Sequence, residues 1–300
     1  MSSTDIHPEL RSVARFLPRR PIRARTLPLL RRLSGLQRPR SDGVEVLILP
    51  SGVGVRLYRP AGTTAATPAL VWIHGGGYVL GTAAQDDALC RRFVERLGIT
   101  VAAVDYRLAP EHPYPTPLED CYTVLRWLAD LPGVDGDRVA IGGASAGGGL
   151  AAALALLARD RAEVRPVFQV LVYPMLDDRS VGHHLDDPGH RLWNATSNRF
   201  GWQSYLGGAD PALAVPARRT DLSGLPPAWL GVGTLDLFHD EDLDYAARLQ
   251  AAGVPCEVHV VPGAFHGFDG IAPKADISAA FFDSQCASLR PALFDGNAAC

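Results

Sequence analysis

From residue 44 onward, short β-branched runs alternate with longer stretches whose apolar positions recur every three or four residues. That alternation is the signature of an α/β protein. The runs at 44–49, 53–58, 69–73, 100–105, 138–142, 167–173, 228–232 and 257–261 read as strands. The first two are close enough to pair as an antiparallel hairpin through residues 50–52. The later ones are separated by helical patterns at 85–96, 117–129, 146–159 and 240–251, so they are expected to run parallel with right-handed crossovers. A last helix is expected at 275–289. Gly98 and Gly253 fall just past two of these helices, where a left-handed cap favours glycine. The pattern predicts an α/β fold with about eight mostly parallel strands and helices on both faces.

Two segments stand outside the alternation. Residues 174–227 are too long for an ordinary strand-to-strand connection and carry Trp193, Phe200, Trp202 and Tyr205 among Gly and Pro residues. A structured insertion, such as a lid with its own helices, accounts for them. The chain before residue 44 is the other segment. Residues 1–40 hold ten arginines against Asp5 and Glu9, a local charge of +8, which leaves −11 on the remainder of a chain with net charge −3. Pro8, Pro18, Pro21, Pro28 and Pro39 interrupt any long amphipathic helix there, and no apolar stretch follows the charges, so a targeting leader is disfavoured. Short helices packing on the body through Leu10, Val13, Phe16, Leu17, Leu29, Leu30 and Leu33 are expected instead. The domain division is thus residues 1–43 as an N-terminal segment and 44–300 as the main body, interrupted at about 174–227.

Composition narrows the class of protein. At 300 residues the chain is about as large as a single core grows. With 47% hydrophobic and 20% charged residues it is not a disordered chain. It has no stretch of 18 apolar residues, so no transmembrane segment is expected. A pI near 6.3 gives no reason to expect nucleic acid as a partner. Five widely spaced cysteines without a C-x-x-C fit free thiols in a reducing, cytoplasmic setting rather than a disulfide framework or a zinc site.

The candidate chemistry lies where strands end. The strand at 138–142 runs into Gly143-Ala144-Ser145-Ala146-Gly147 and then a Gly/Ala/Leu-rich helix, which is a G-x-S-x-G turn in strand–turn–helix context. Glycines two positions either side of the serine avoid collisions with the neighbouring strand and helix. The helix start aims free N–H groups at developing negative charge. Alone, this pattern is weak in a chain with 30 glycines. The run His74-Gly75-Gly76-Gly77 directly after the strand at 69–73 is rarer, and its glycines let backbone N–H groups face a cavity as an oxyanion hole requires. The expected donors are Gly75, Gly76 and Ala146, with His74 orienting the loop. A serine nucleophile needs a base and the base an orienting carboxylate, in the chain order Ser, acid, His. Asp236 follows the strand at 228–232 and His266 follows the strand at 257–261, both at the sheet edge expected for Ser145. Asp240, Glu241, Asp242 and Asp244 suit the first turn of the next helix instead. His183, His184 and His190 with Asp186 and Asp187 match no metal-ligand spacing. Neither a metal nor an organic cofactor is expected. Tyr78 and Trp202 are the aromatic candidates for contact with a substrate.

These motifs carry a resemblance. HGGGY at 74–78, DYRLAPEHPYP at 105–115, GASAGG at 143–148, the Asp236 segment and the run from Pro262 through His266-Gly267-Phe268 resemble the hormone-sensitive-lipase-like branch of the α/β-hydrolases, which includes the bacterial family IV carboxylesterases. The resemblance spans about residues 44 to 290. It implies Ser145 as nucleophile, His266 as base, Asp236 as its partner, and Gly75, Gly76 and Ala146 as oxyanion donors. It also implies a cap made from the N-terminal segment and the 174–227 insertion, and scope for a homodimer through the strand nearest Cys256 and its adjoining helix. Many members carry an acidic residue or threonine before the serine, where this chain has Ala144. The expectation is a serine carboxylesterase acting on small esters of short to medium acyl chains. An amidase or aryl-formamide hydrolase would use the same residues. A non-catalytic receptor on this scaffold is disfavoured because His266 is present. A dinucleotide fold through Gly147-Gly148-Gly149 is disfavoured because that run begins too far past its strand.

Overall fold

The computed structural model describes residues 6–17, 22–34, 43–179 and 190–295. One eight-stranded sheet organises the body: β1 (Glu45–Ile48), β2 (Gly54–Tyr58), β3 (Thr67–Ile73), β4 (Thr100–Asp105), β5 (Val134–Ala144), β6 (Gln169–Val172), β7 (Ala228–Gly233) and β8 (Cys256–Val261). Their order is β1-β2-β4-β3-β5-β6-β7-β8. β1 and β2 form the expected hairpin, and β2 then pairs antiparallel with β4 instead of its neighbour in sequence. From β4 through β8 every pairing is parallel. Central β3 is buried at all seven positions, as a parallel strand covered on both faces must be. β5 begins four residues earlier than its apolar run suggests. Thr67 pairs with Val134, which packs on the core, and the polar residues 135–138 lie at a register shift before Ala69 pairs with Val139.

The crossover helices are α3 (Asp87–Leu97), α4 (Thr116–Ala129), α5 (Ala146–Arg161), α8 (His239–Ala251) and α10 (Asp276–Phe294), each within a few residues of its expected bounds. α4 packs on α5, and α3 on α10. Gly98 and Gly253 take positive φ of 70° and 79°, closing α3 and α8 as expected. α5 has no amphipathic stripe: from Ala146 to Leu156 every residue is buried, which its small side chains permit. The Gly147-Gly148-Gly149 run lies inside this helix, which begins at Ala146, so it makes no phosphate-binding turn.

The outlying segments pack over the C-terminal ends of the strands. Within the long connection lie α6 (Ala195–Leu206), α7 (Pro211–Ala214) and a short 3₁₀ turn at Pro216–Arg218. Near the N-terminus lie α1 (Arg11–Ala14), α2 (Leu27–Ser34) and, between Ala251 and α10, the short α9 (Phe268–Ile271) completes the helices. Leu10 and Ala14 are buried, Val13 and Leu17 pack on the core, and Leu27 joins Val79 and Ala109. Phe16 and Leu29 correct the sequence expectation: they are 88% and 62% exposed, because α1 is a single turn and α2 rests on the body through Leu27. Arg31 fastens α2 through Nε to the Val79 carbonyl at 2.8 Å, through Nη2 to the Ala109 carbonyl at 2.6 Å, and through Nη1 to Glu111. No described helix is long and apolar enough to cross a membrane.

Candidate active site

Ser145 stands on the turn between β5 and α5 with φ 57° and ψ −121°, a conformation that costs a non-glycine residue of order 1–3 kcal/mol. Its surroundings hold it there. The Ser145 N–H donates to the Val172 carbonyl at 2.9 Å, and its carbonyl accepts from the N–H groups of Met175 and Gly149. A Cβ at Gly147 would lie 2.0 Å from the Ile73 carbonyl oxygen, so the tight passage of the turn against β3 requires glycine.

His266 and Asp236 arrive on two loops laced together. Thr234 N–H donates to the Val261 carbonyl, Leu235 N–H to the Ala264 carbonyl, and Gly263 N–H to Thr234 Oγ1. This brings His266 Nδ1 to 2.8 Å from Asp236 Oδ2 and its Nε2 to 2.9 Å from Ser145 Oγ. Asp236 Oδ1 also accepts the Phe238 N–H at 3.0 Å, which fixes the carboxylate plane. Tyr173 and Phe238 pack edge-on to the imidazole with centroids 4.8 and 5.2 Å away. All three polar side chains are buried.

The glycine run lines the same cavity. Gly76 has φ 127°, and a Cβ there would lie 2.1 Å from the Leu80 carbonyl oxygen, so this bend needs glycine. Among the described residues no acceptor takes the N–H of Gly75, Gly76 or Ala146. Three free donors around one buried hydroxyl can hold an oxygen that turns negative. His74 does not line the cavity. Its Nδ1 lies 2.8 Å from the Gly75 carbonyl oxygen, its ring stacks on Tyr106 at 4.2 Å, and burial lowers its pKa so that the ring stays neutral.

The cavity measures about 290 Å³, and its apolar wall comes from Ile22, Leu80, Leu192, Trp193 and Ile271. Here the sequence expectation is corrected. Tyr78 and Trp202 are buried beneath this wall, packed with Tyr205, and the tryptophan that reaches the cavity is Trp193. Trp193 covers Gly77, where a Cβ would lie 1.9 Å from the indole. The aromatic richness of the insertion signalled such a residue without singling it out. Asp86 and Tyr173, also in the lining, went unnoticed in the sequence. Tyr173 follows directly after β6, so the strand-end rule that found Asp236 and His266 would have found it.

The rival acids divide. Asp240 lies at the helix surface against His239, as expected of a first-turn acid. Glu241 and Asp242 depart from that expectation because the start of α8 faces inward. Glu241 accepts the N–H groups of Leu176 and Asp177, while both Asp242 oxygens are buried without a donor. Burial pushes both carboxyls well above the ordinary range. His190 is buried, and His183, His184, Asp186 and Asp187 lie outside the described residues. No cluster of three or more His, Cys, Asp or Glu among the described residues has metal-site geometry.

A mostly parallel eight-stranded sheet with a serine on the sharp turn after β5, and His and Asp beyond two later strands, defines an α/β-hydrolase. The comparisons agree. A profile of the alpha/beta hydrolase fold matches residues 70–270. The chain is 38% identical over 234 residues to esterase LipI of Mycobacterium tuberculosis, covering 74% of this chain and 73% of that one. It is 40% identical over 265 residues to the carboxylic ester hydrolase LipN of the same organism, covering 81% and 68%. The crystal structure of esterase LipW from Mycobacterium marinum superimposes with a TM-score of 0.89 at 37% identity, covering 98% of each chain. The chain belongs to the hormone-sensitive-lipase-like family of α/β-hydrolases, and it is a carboxylic ester hydrolase.

Proposed function

We propose that the protein hydrolyses short- to medium-chain carboxylic esters through an acyl-enzyme on Ser145. The observation that carries this reading is the unbroken hydrogen-bonded chain from Ser145 Oγ through His266 to Asp236, set in a cavity with unused N–H donors. His266 Nε2 takes the hydroxyl proton as Oγ attacks the ester carbon. The carbonyl oxygen, now negative, is held by the N–H groups of Gly75, Gly76 and Ala146. His266 then passes the proton to the leaving alcohol, and a water molecule, deprotonated in turn by His266, releases the acid. Asp236 keeps the Nδ1 proton in place throughout.

The N-terminal segment and the insertion act together as the cap on this reading. Ile22 of the first and Trp193 of the second share the cavity wall, and the Ile22 N–H donates to Ser197 Oγ at 2.9 Å. A cavity of this size suits acyl chains of a few carbons better than long ones. The test is covalent. A phosphonate ester should inactivate the protein stoichiometrically, with the adduct on Ser145 by peptide mass analysis. Ser145→Ala should lower kcat on p-nitrophenyl butanoate by on the order of 10⁵-fold with the fold intact. An adduct on another serine, or an active alanine variant, overturns the assignment.

A further inference from the structure

Beside the ester cavity lies a second one of about 190 Å³, and the two share Asp86, Ala144 and Tyr173 in their walls. Its polar lining holds the carboxylates of Asp86 and Asp269, the amides of Gln85 and Gln285, the Tyr173 hydroxyl and Arg92; the Gln85 amide, common to both cavities, is turned to the Gly75 carbonyl at 3.4 Å. Asp86 is the only carboxylate in the described lining of the ester cavity. Its Oδ2 accepts the Trp72 indole N–H at 2.8 Å, and no described group donates to its Oδ1. Asp269 reaches the second cavity and accepts the Tyr173 hydroxyl at 2.7 Å. Gln285, 1% exposed, lines it as well, and its buried Oε1 meets no donor. Arg92 also lines this cavity, but its guanidinium lies 3.9 Å over the Phe282 ring and forms no ion pair with either carboxylate.

Buried acceptors ordinarily find donors, and an unmatched carboxylate in a partly dry cavity is costly. A positively charged group would meet the charge of Asp86, with Asp269 close by, and any N–H it carries would find the Asp86 Oδ1 that no described group uses. We propose that this side chamber receives a cationic ammonium group, protonated or quaternary, carried by the ester substrate, and that Asp86 selects such esters over their neutral isosteres. The proposal rests on the esterase reading and specifies its substrate class. Ala144 fits it: at the position before the serine, the wall common to both cavities carries only a methyl.

A dependence on pH follows. Burial, with Asp269 and Asp87 nearby, pushes the Asp86 carboxyl up to about 7 against the pull of the Trp72 indole, and burial raises Asp269 as well. Around the chamber stand also Arg92 on α3, His266, which faces Asp269, and Tyr173, Cys90 and Tyr106, all three held protonated by burial. Below that value Asp86 is mostly protonated and its attraction for a cation fades. Selection should therefore strengthen as pH rises through neutrality.

Matched esters test the proposal. On the alcohol side, 2-(dimethylamino)ethyl butanoate is compared with 3-methylbutyl butanoate. On the acyl side, the p-nitrophenyl ester of 4-(trimethylammonio)butanoate is compared with that of 5,5-dimethylhexanoate. In at least one pair the cationic member should be favoured about tenfold or more in kcat/KM, mainly through KM. For the trimethylammonium pair, whose charge does not titrate, that ratio should grow from about pH 6 to about pH 8. Asp86→Asn, which keeps an acceptor for Trp72, should collapse the ratio, and Asp269→Asn should reduce it. Calorimetric binding of the same pairs to Ser145→Ala reads the preference without turnover. A protein that hydrolyses no ester would thus overturn the esterase reading while the binding arm still decides the chamber. Equal treatment of both members in both pairs, or a preference that survives Asp86→Asn, overturns the proposal.

Discussion

On one side of the ester cavity, Gly75, Gly76, Ser145 and His266 stand on turns at the C-terminal ends of β3, β5 and β8. On the other, Ile22, Leu192 and Trp193 come from the N-terminal segment and the long connection. The first side is built from backbone constraint: a strained serine, glycines that backbone oxygens would otherwise strike, and two loops hydrogen-bonded to each other. The second is built from apolar volume. The strand-end side fixes where atoms sit to a fraction of an ångström, as proton transfer requires. The second side, the cap on the proposed reading, would set only what shape fits beside them. Changes to the first should therefore cost turnover, and changes to the second should cost affinity.

Removing the Ser145 hydroxyl is the extreme case, and Asp236→Asn tests the strand-end side more finely. The asparagine carbonyl would take the Phe238 N–H now bound by Oδ1, leaving the amide NH₂ where Oδ2 faces His266 Nδ1 at 2.8 Å. Nδ1 would then have to accept, the ring proton would move to Nε2, and Nε2 could no longer take the serine proton. The expected loss is about 10³–10⁴-fold in kcat with KM little changed. A variant within tenfold of the parent enzyme would show that another acid orients the base.

This difference also explains what could be read from the sequence. That Ser145, Asp236, His266 and the glycine run come together at strand ends was legible because the proposed chemistry restricts both residue type and position relative to a strand. The sheet was legible too, since the central parallel strands β3, β4, β6 and β7 are largely apolar and buried. The sequence places the start of β5 at residue 138 because 135–138 are polar, whereas the strand begins at Val134, paired with Thr67 of β3. The cap side was not legible. Tyr78, Trp193, Trp202 and Tyr205 are all large and buried, and nothing in their spacing says which ring meets the cavity and which supports it. Asp86 was hidden for a related reason: at the start of α3 it looks like an ordinary acid of a first turn.

Trp193→Ala tests the cap side. A substrate that covers roughly 50 Å² of the indole would lose about 1.3 kcal/mol at about 25 cal/mol/Å², or near tenfold in affinity. The loss should appear as a raised KM, growing with acyl length, with kcat held within a few-fold. A fall in kcat at unchanged KM would mean that the indole positions the ester carbonyl instead of enclosing the chain. Trp202→Phe keeps its packing against Tyr78 and should leave the acyl-length profile nearly as it was.

The smallest effect concerns the footing of the strand-end side. Asp242 sits in the first turn of α8, just beyond the Asp236 loop, fully buried with neither oxygen hydrogen-bonded, and burial together with Glu241 and Asp236 raises its pKa. The folded protein therefore holds a proton at Asp242 under conditions where the unfolded chain, with an ordinary value of about 3.9, has released it. Protons bound preferentially by the folded state make its stability fall as pH rises from about 4 toward the folded value. One such group contributes a slope of up to about 1.4 kcal/mol per pH unit, and Glu241 adds a slope of the same sign, offset in part by the two N–H groups that favour its ionised form. Asp242→Asn keeps the shape and removes one titration. Urea unfolding at several pH values should show a shallower decline for the variant and a gain in stability near neutrality. Because Asp242 touches neither substrate nor His266, kcat should shift by less than about threefold. Parallel stability profiles for the two proteins would mean that Asp242 is already ionised in the folded state, held by a donor such as buried water.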